Sequence, residues 1–126
     1  MQIKEQIEGD VVVLHLKGNL MGDPETTEFR DKIKNLVRDG FLKIVLDVSK
    51  VKWINSSGLG ALISALTTVN NAGGDLRLSS VTEKIKSLFM ITQLIKVFKV
   101  FESNERAIAS FMVDPISGKK AEQPEG

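Results

Sequence analysis

Residues 44–60 read IVLDVSKVKWINSSGLG, and the change of pattern within this stretch decides the fold. The stretch opens with an apolar run at residues 44–46, which is typical of a central parallel strand covered on both faces. It closes with a polar segment of the residue types that favour helix N-caps, followed by a helical pattern. We therefore predict a strand over residues 42–48, a short loop, and a helix from about Asn55 to about Asn71.

Short apolar runs alternate with helical periods along the rest of the chain as well. The other predicted elements are hairpin strands at 2–7 and 11–17, a loop at 18–23, a helix from Asp23-Pro24 to Gly40, a strand at 76–78, a helix opened by Ser80 and Glu83, a strand at 97–101 and a helix capped by Ser103. This order predicts an α/β domain over residues 1–113, with a mixed, mainly parallel sheet, an N-terminal β-hairpin and about four helices. Residues 114–126 have little to bury, and we expect a flexible tail there.

The composition excludes several classes of function. Lysine and arginine total 17 and aspartate and glutamate total 16 in a chain of 126 residues, so no nucleic-acid or membrane surface is expected. Cysteine is absent and His15 is the single histidine, which argues against thiol chemistry and against a zinc site. No cofactor motif or signal-peptide pattern is visible, so we expect a cytoplasmic protein with no cofactor and no obligate small-molecule ligand.

The second helix is unusual because every residue from Trp53 to Gly74 is uncharged. Large apolar residues form its predicted core stripe: Leu59, Leu62, Ile63, Leu66 and Val69. Small neutral residues occupy much of the remainder: Gly60, Ala61, Ser64, Ala65 and Thr68. The helix is either buried on all sides within the domain, or it leaves this second face exposed for a partner whose docking requires little desolvation.

Asn55, Ser56 and Ser57 stand where this helix begins. One of them can simply be the N-cap. The segment also follows the carboxyl end of a central strand, where α/β sheets place their sites, and free amides at a helix start stabilise an anion. A phosphoryl group on such a serine adds roughly −1.5 to −2 charges at neutral pH, which the fold tolerates but a neutral docking surface does not. Gly58 and Gly60 are expected to leave the surface open to another molecule.

Enzymatic interpretations find no support around the serines. The patterns of a nucleophile elbow and of a phosphate-binding P-loop are both absent. His15 lies in an apolar strand and is interpreted as a packed or edge-face residue, and Asp47 as a structural or loop-orienting residue. Trp53 is predicted to fill the core beside the loop, with partner contact as the second interpretation. The chain is therefore predicted to be a non-enzymatic module without a metal site.

Residues 46–60, LDVSKVKWINSSGLG, closely resemble the signature of the STAS domain, and most of all that of the stand-alone bacterial anti-sigma factor antagonists. The resemblance covers about residues 1–113 and implies a mixed sheet with helices beside it. It also implies a mode of action. The unmodified antagonist binds an anti-sigma factor that is a serine kinase, phosphorylation weakens the complex, and a metal-dependent serine phosphatase restores it.

By this resemblance Ser56 is the phosphorylated serine, and Ser57 is the neighbouring hydroxyl and the second candidate for phosphorylation. We expect the neutral face of the second helix and the loop before it to contact the kinase. The expected contact residues are Asn55, Ser56, Ser57, Gly58, Gly60, Ala61, Ser64 and Ala65. Asn55 replaces the aspartate usual in the family and lacks its negative charge. The alternatives are an adaptor in another bacterial signalling cascade and a domain that binds a nucleotide or another small ligand at the helix N-terminus.

Overall fold

The computed structural model of the chain describes residues 1–116. Its elements are the strands β1 (Gln2–Glu8), β2 (Val11–Leu20), β3 (Lys43–Ile54), β4 (Asp75–Ser79) and β5 (Val100–Phe101), the helices α1 (Glu25–Arg38), α2 (Ser56–Asn71), α3 (Glu83–Ile91) and α4 (Asn104–Val113), and a 3₁₀ turn at Leu94–Lys96. The five strands form one sheet in the order β1-β2-β3-β4-β5. β1 is antiparallel to β2, and every other pair is parallel. The predicted α/β class, hairpin and four helices are confirmed.

The sheet separates two apolar clusters, because successive side chains of a strand point to opposite faces. Val12, Leu14 and Leu16 of β2 belong to the larger cluster, which also contains the buried residues of α1, α2 and α3. Val13 lies in the smaller cluster, where Ala107 and Phe111 of α4 cover the other face. α1 and α2 therefore pack on the side opposite α4.

β3 is longer than predicted. The predicted loop after Val48 is instead strand up to Ile54, because this segment pairs with the end of β2 at Lys17, Gly18 and Leu20. The predicted end of β2 at residue 17 is likewise too early. The backbone hydrogen bonds between the ends of β2 and β3 place the start of α2 beside Leu20.

Two predicted helix starts need correction, and one is confirmed. Ser80 and Glu83 do not form a capping box, because Thr82 is the N-cap of α3 and its hydroxyl accepts a hydrogen bond from the Ile85 N–H. The N-cap of α1 is Pro24, one residue later than the predicted cap Asp23, yet the Asp23 carboxylate accepts from the Thr27 N–H at 3.2 Å. Ser103 caps α4 as expected.

The carboxyl end of α4 is held by a buried arginine. Arg77 of β4 donates to the Asp75 carboxylate at 2.9 Å, to the Ser110 hydroxyl at 2.7 Å and to the backbone oxygen of Asp114 at 2.7 Å. Packing continues to Ile116, which contacts the smaller cluster. Contacts of the domain thus extend past the predicted boundary at residue 113, and residues 117–126 of the predicted tail lie outside the described residues.

Candidate functional site

Asn55 joins the start of α2 to the end of β2. Its backbone is extended, and its side-chain oxygen accepts the Gly58 N–H at 3.0 Å, so Asn55 is the N-cap of α2. Its side-chain nitrogen donates to the backbone oxygen of Met21 at 2.8 Å. An aspartate could act as the cap but could not donate to that oxygen. The Asn55 side chain therefore links the segment after β2 to the start of α2 by hydrogen bonds.

Ser56 and Ser57 are the first two residues of α2, and both are exposed. Their N–H groups precede the first intrahelical hydrogen bond and so have no acceptor within the helix. Because Asn55 supplies the cap, neither serine hydroxyl is needed for that purpose. The site therefore presents two accessible hydroxyls at the positive end of an uncharged helix.

The two faces of α2 differ from those predicted. Ala61 and Ala65 are 0% and 2% exposed and belong to the larger cluster, whereas Ile63, predicted to be buried, is 39% exposed. Ser64 and Gly60 are partly exposed, as expected. The prediction was wrong because small, neutral residues are compatible both with close helix packing and with an exposed surface. Ala61 and Ala65 therefore cannot contact a partner without a rearrangement of the core.

The two glycines of the first turns also have different surroundings. A Cβ atom added to Gly58 would lie 1.9 Å from the backbone oxygen of Leu20 and 2.9 Å from Cγ2 of Ile54. The expectation that Gly58 opens the surface is therefore wrong, because this glycine allows α2 to approach the end of β2 closely. A Cβ atom at Gly60 would have no neighbour within 4 Å, so the surface is open there.

Trp53 does not fill the core. Its side chain is 52% exposed, and the ammonium group of Lys84 from α3 lies over its ring. Trp53 forms one wall of a groove between β3 and α3, which begins next to the serine segment. The sequence indicated neither the groove nor the contact with Lys84, because residues distant in the chain form them. Met90 of α3 and Met112 of α4 are exposed as well.

His15 and Asp47 form a separate polar cluster on the α4 side of the sheet. The imidazole Nδ1 lies 2.8 Å from Asp47 Oδ2, and Nε2 lies 2.8 Å from the side-chain oxygen of Gln6. Asp47 also accepts hydrogen bonds from the Asn104 amide and the Ser49 N–H, both at 3.0 Å. Burial acts to raise the pKa of Asp47, but the hydrogen bonds from Asn104, Ser49 and His15 outweigh it and lower this pKa. The hydrogen bond from Asn104 to Asp47 connects the start of α4 to the sheet.

This polar cluster cannot activate the serines. Along β3, Asp47 is separated from the start of α2 by on the order of 20 Å of strand. A general base must come within hydrogen-bond reach of its nucleophile, so His15 and the serines do not form a hydrolase site. Within residues 1–116, no group of three or more metal-binding side chains is found and no helix has the length and apolarity of a membrane span.

The sequence also matches a model of a known family. The family model described as the STAS domain matches residues 2–107. The chain therefore belongs to the STAS domain family. This confirms the family indicated by residues 46–60.

Several similar proteins carry names of anti-sigma factor antagonists. The anti-sigma F factor antagonist of Paenibacillus polymyxa is 24% identical over 90% of this chain and 97% of its own length. A protein of Thermotoga neapolitana, provisionally named anti-sigma factor antagonist TM1081 homolog, is 32% identical over 55% of this chain. That match spans only 61% of the Thermotoga relative's length.

Solved structures show the same fold. The crystal structure of the Thermotoga maritima protein TM1081 gives a TM-score of 0.79 at 26% identity, over 86% of this chain and 92% of that chain. The anti-sigma factor antagonist SpoIIAA in its unphosphorylated form gives a TM-score of 0.68 at 16% identity, over 90% of this chain and 99% of that chain. SpoIIAA of Bacillus has also been solved in its phosphorylated form, with a TM-score of 0.68 at 19% identity, over 86% of this chain and 97% of that chain.

Proposed function

We propose that this protein is a cytoplasmic anti-sigma factor antagonist that acts as a phosphoswitch. In the unmodified form it binds an anti-sigma factor that is also a serine kinase, and phosphorylation of Ser56 releases it. A serine phosphatase then restores the binding form. The observation that carries the proposal is the exposed Ser56 hydroxyl at the start of an uncharged helix, capped by Asn55 and not by the serine.

The physical basis is a difference in solvation between the free and bound forms. In the free protein a phosphoryl group at Ser56 faces water and the positive end of α2, which stabilises it by about 0.3–1 kcal/mol. In a complex the same charge must lose its water, at a cost of several kcal/mol if no cation compensates it. About 4 kcal/mol corresponds to roughly a thousandfold loss of affinity. Phosphorylation therefore breaks the interface without unfolding the protein.

The contact surface follows from exposure as well as from motif position. It comprises Asn55, Ser56 and Ser57, together with the outer residues Gly60 and Ser64 of α2. Among the exposed or partly exposed residues of α2 none is charged, so docking there removes no ion from water. Names of relatives such as the anti-sigma-B factor antagonist of Staphylococcus aureus support an anti-sigma factor as the partner.

The test uses a cognate serine kinase, to be sought among the neighbouring genes and by co-purification with this protein. Intact-mass measurement after incubation with this kinase and ATP should show one added phosphoryl group. The group should be lost in Ser56→Ala and kept in Ser57→Ala, which is the matched control because both serines are exposed at the same helix end. Phosphate that remains on Ser56→Ala overturns the assignment of the acceptor.

A further inference from the structure

The groove beside the serine segment has an apolar floor and one long apolar wall. Its volume is about 310 Å³. Ile85 is buried at its base, Ile54 and Leu88 are half-buried, and Trp53 and Ile91 remain 52% and 80% exposed at its edges. So large a group of exposed apolar side chains around one depression is typical of an interaction site.

The charges around this groove have one sign. Lys52 and Lys84 are the ionisable residues that line it, and no ion pair within residues 1–116 involves either of them. By contrast, Lys32, Lys43 and Lys99 each pair with a carboxylate. The acidic residue Glu83 of α3 lines a different depression. The groove therefore combines an apolar interior with a positive rim whose lysines pair with no carboxylate of residues 1–116.

The groove is continuous with the first turn of α2. Ile54 forms part of its lining, and Cγ2 of Ile54 would lie 2.9 Å from a Cβ atom at Gly58. Ile54 is also the last residue of β3, directly before Asn55 and Ser56. Trp53, at the edge of the groove, therefore stands three residues before Ser56 in the chain.

We propose that the kinase that binds over Ser56 inserts a bulky apolar side chain, flanked by acidic residues, into the groove between Trp53 and α3. The inference rests on the proposed function and deepens it by assigning the chemistry of the partner's contacting segment. The apolar side chain replaces water against Trp53 and Leu88. The acidic residues approach Lys52 and Lys84, and Lys84 can move from the Trp53 ring to meet them. The neutral surface of α2 and this groove together form one interface, with its apolar anchor in the groove.

The test measures affinity and phosphorylation separately, with the cognate serine kinase as the probe. Trp53→Ala should weaken binding about thirtyfold, as expected for a buried aromatic anchor. The double variant Lys52→Glu, Lys84→Glu should lower affinity and flatten its salt dependence. Met112→Ala and Lys4→Glu are matched controls on exposed residues of α4 and β1, and both should bind as the wild type does.

Trp53 is the single tryptophan of the chain, so its fluorescence reports directly on the groove. Binding of the kinase should shift its emission to the blue and protect it from acrylamide quenching, when monitored with a tryptophan-free kinase variant. A blue shift that instead grows with the concentration of this chain alone would assign the groove to a second copy and overturn the proposal.

Other outcomes separate this inference from the proposed function. If Trp53→Ala and the lysine variant bind normally while Ser56 is still phosphorylated, the groove is not part of the interface and the phosphoswitch stands. If both variants lose affinity but are phosphorylated on Ser56 at the wild-type maximal rate when the kinase is saturating, the groove is a docking surface as proposed. If the wild-type chain neither binds the kinase nor is phosphorylated by it, both proposals fail.

Discussion

Both faces of α2 carry small, neutral residues, yet these residues lie in opposite environments. The inner face, with Ala61 and Ala65, is buried against the core, where small size allows close packing. The outer face, with Ser57, Gly60 and Ser64, remains accessible, where the absence of charge lowers the cost of docking. Composition alone therefore cannot assign a function to such residues. Their small size matters on the buried face, whereas their lack of charge matters on the accessible face.

The largest expected difference between the faces is in their response to a carboxylate. Ala65→Glu should destabilise the fold by about 3–5 kcal/mol, since it places an unpaired charge in the core. Ser64→Glu should change the free energy of unfolding by no more than about 0.5 kcal/mol, because its side chain reaches water. Urea denaturation followed by circular dichroism measures both. Equal loss of stability in the two variants would show that the faces are not distinct.

Substitutions of the two glycines in the first turns of α2 should also differ in their effect on stability, but by a smaller amount. Gly58→Ala should cost about 1–3 kcal/mol, because the added Cβ atom meets the backbone oxygen of Leu20 and forces a local shift. Gly60→Ala should be neutral or stabilising by up to ~1 kcal/mol, since alanine is the better helix former and space is open there. Thermal melts of the pair decide the point, and a stable Gly58→Ala protein would contradict the close approach.

Substitutions of the cap residue and of the serine should differ still less in their effect on stability. Asn55→Ala should cost about 1 kcal/mol of stability through loss of the cap. Ser56→Ala should leave stability within about 0.5 kcal/mol of the wild type, because the exposed hydroxyl is not the cap. A cost at Ser56 as large as that at Asn55 in denaturant titrations would identify the serine as a structural residue.

Acid should reveal a further contrast, since α2 carries no ionisable side chain and the Asp47 cluster does. The pKa of Asp47 is lower in the folded protein than its usual value. The ionised carboxylate therefore adds stability above the unfolded pKa of about 3.9, and this stability is lost as pH falls through the folded pKa. Asp47→Asn should consequently lose less stability than the wild type between about pH 5 and pH 2. Urea midpoints across this range test the expectation, and identical pH profiles would contradict it.

The sequence was most informative where the pattern is local. The apolar run at residues 44–46 predicted a central strand, and the polar segment at Asn55 predicted the start of α2; both are confirmed. The position of Ser103 likewise predicted the cap of α4. These features depend on residues that are close together in the chain, so they can be predicted from the sequence alone.

The errors came from contacts between distant residues. Nothing near Gly58 in the chain indicates that Leu20 lies against it, and nothing near Trp53 indicates Lys84. The second half of β3 was predicted as a loop because its pairing with the end of β2 is also nonlocal. The motif pointed to Ser56, but the exposed surface around the serine could be defined only after the strands and helices were packed together.

The proposed switch requires that a phosphoryl group on Ser56 disrupts the complex and leaves the monomer intact. Affinity for the cognate kinase should be compared between Ser56-phosphorylated and unmodified protein, with melting temperatures recorded on the same samples. We expect roughly a thousandfold loss of affinity, together with a melting temperature that is unchanged or slightly raised. Equal affinity of the two forms, or a phosphorylated protein that unfolds, would contradict it.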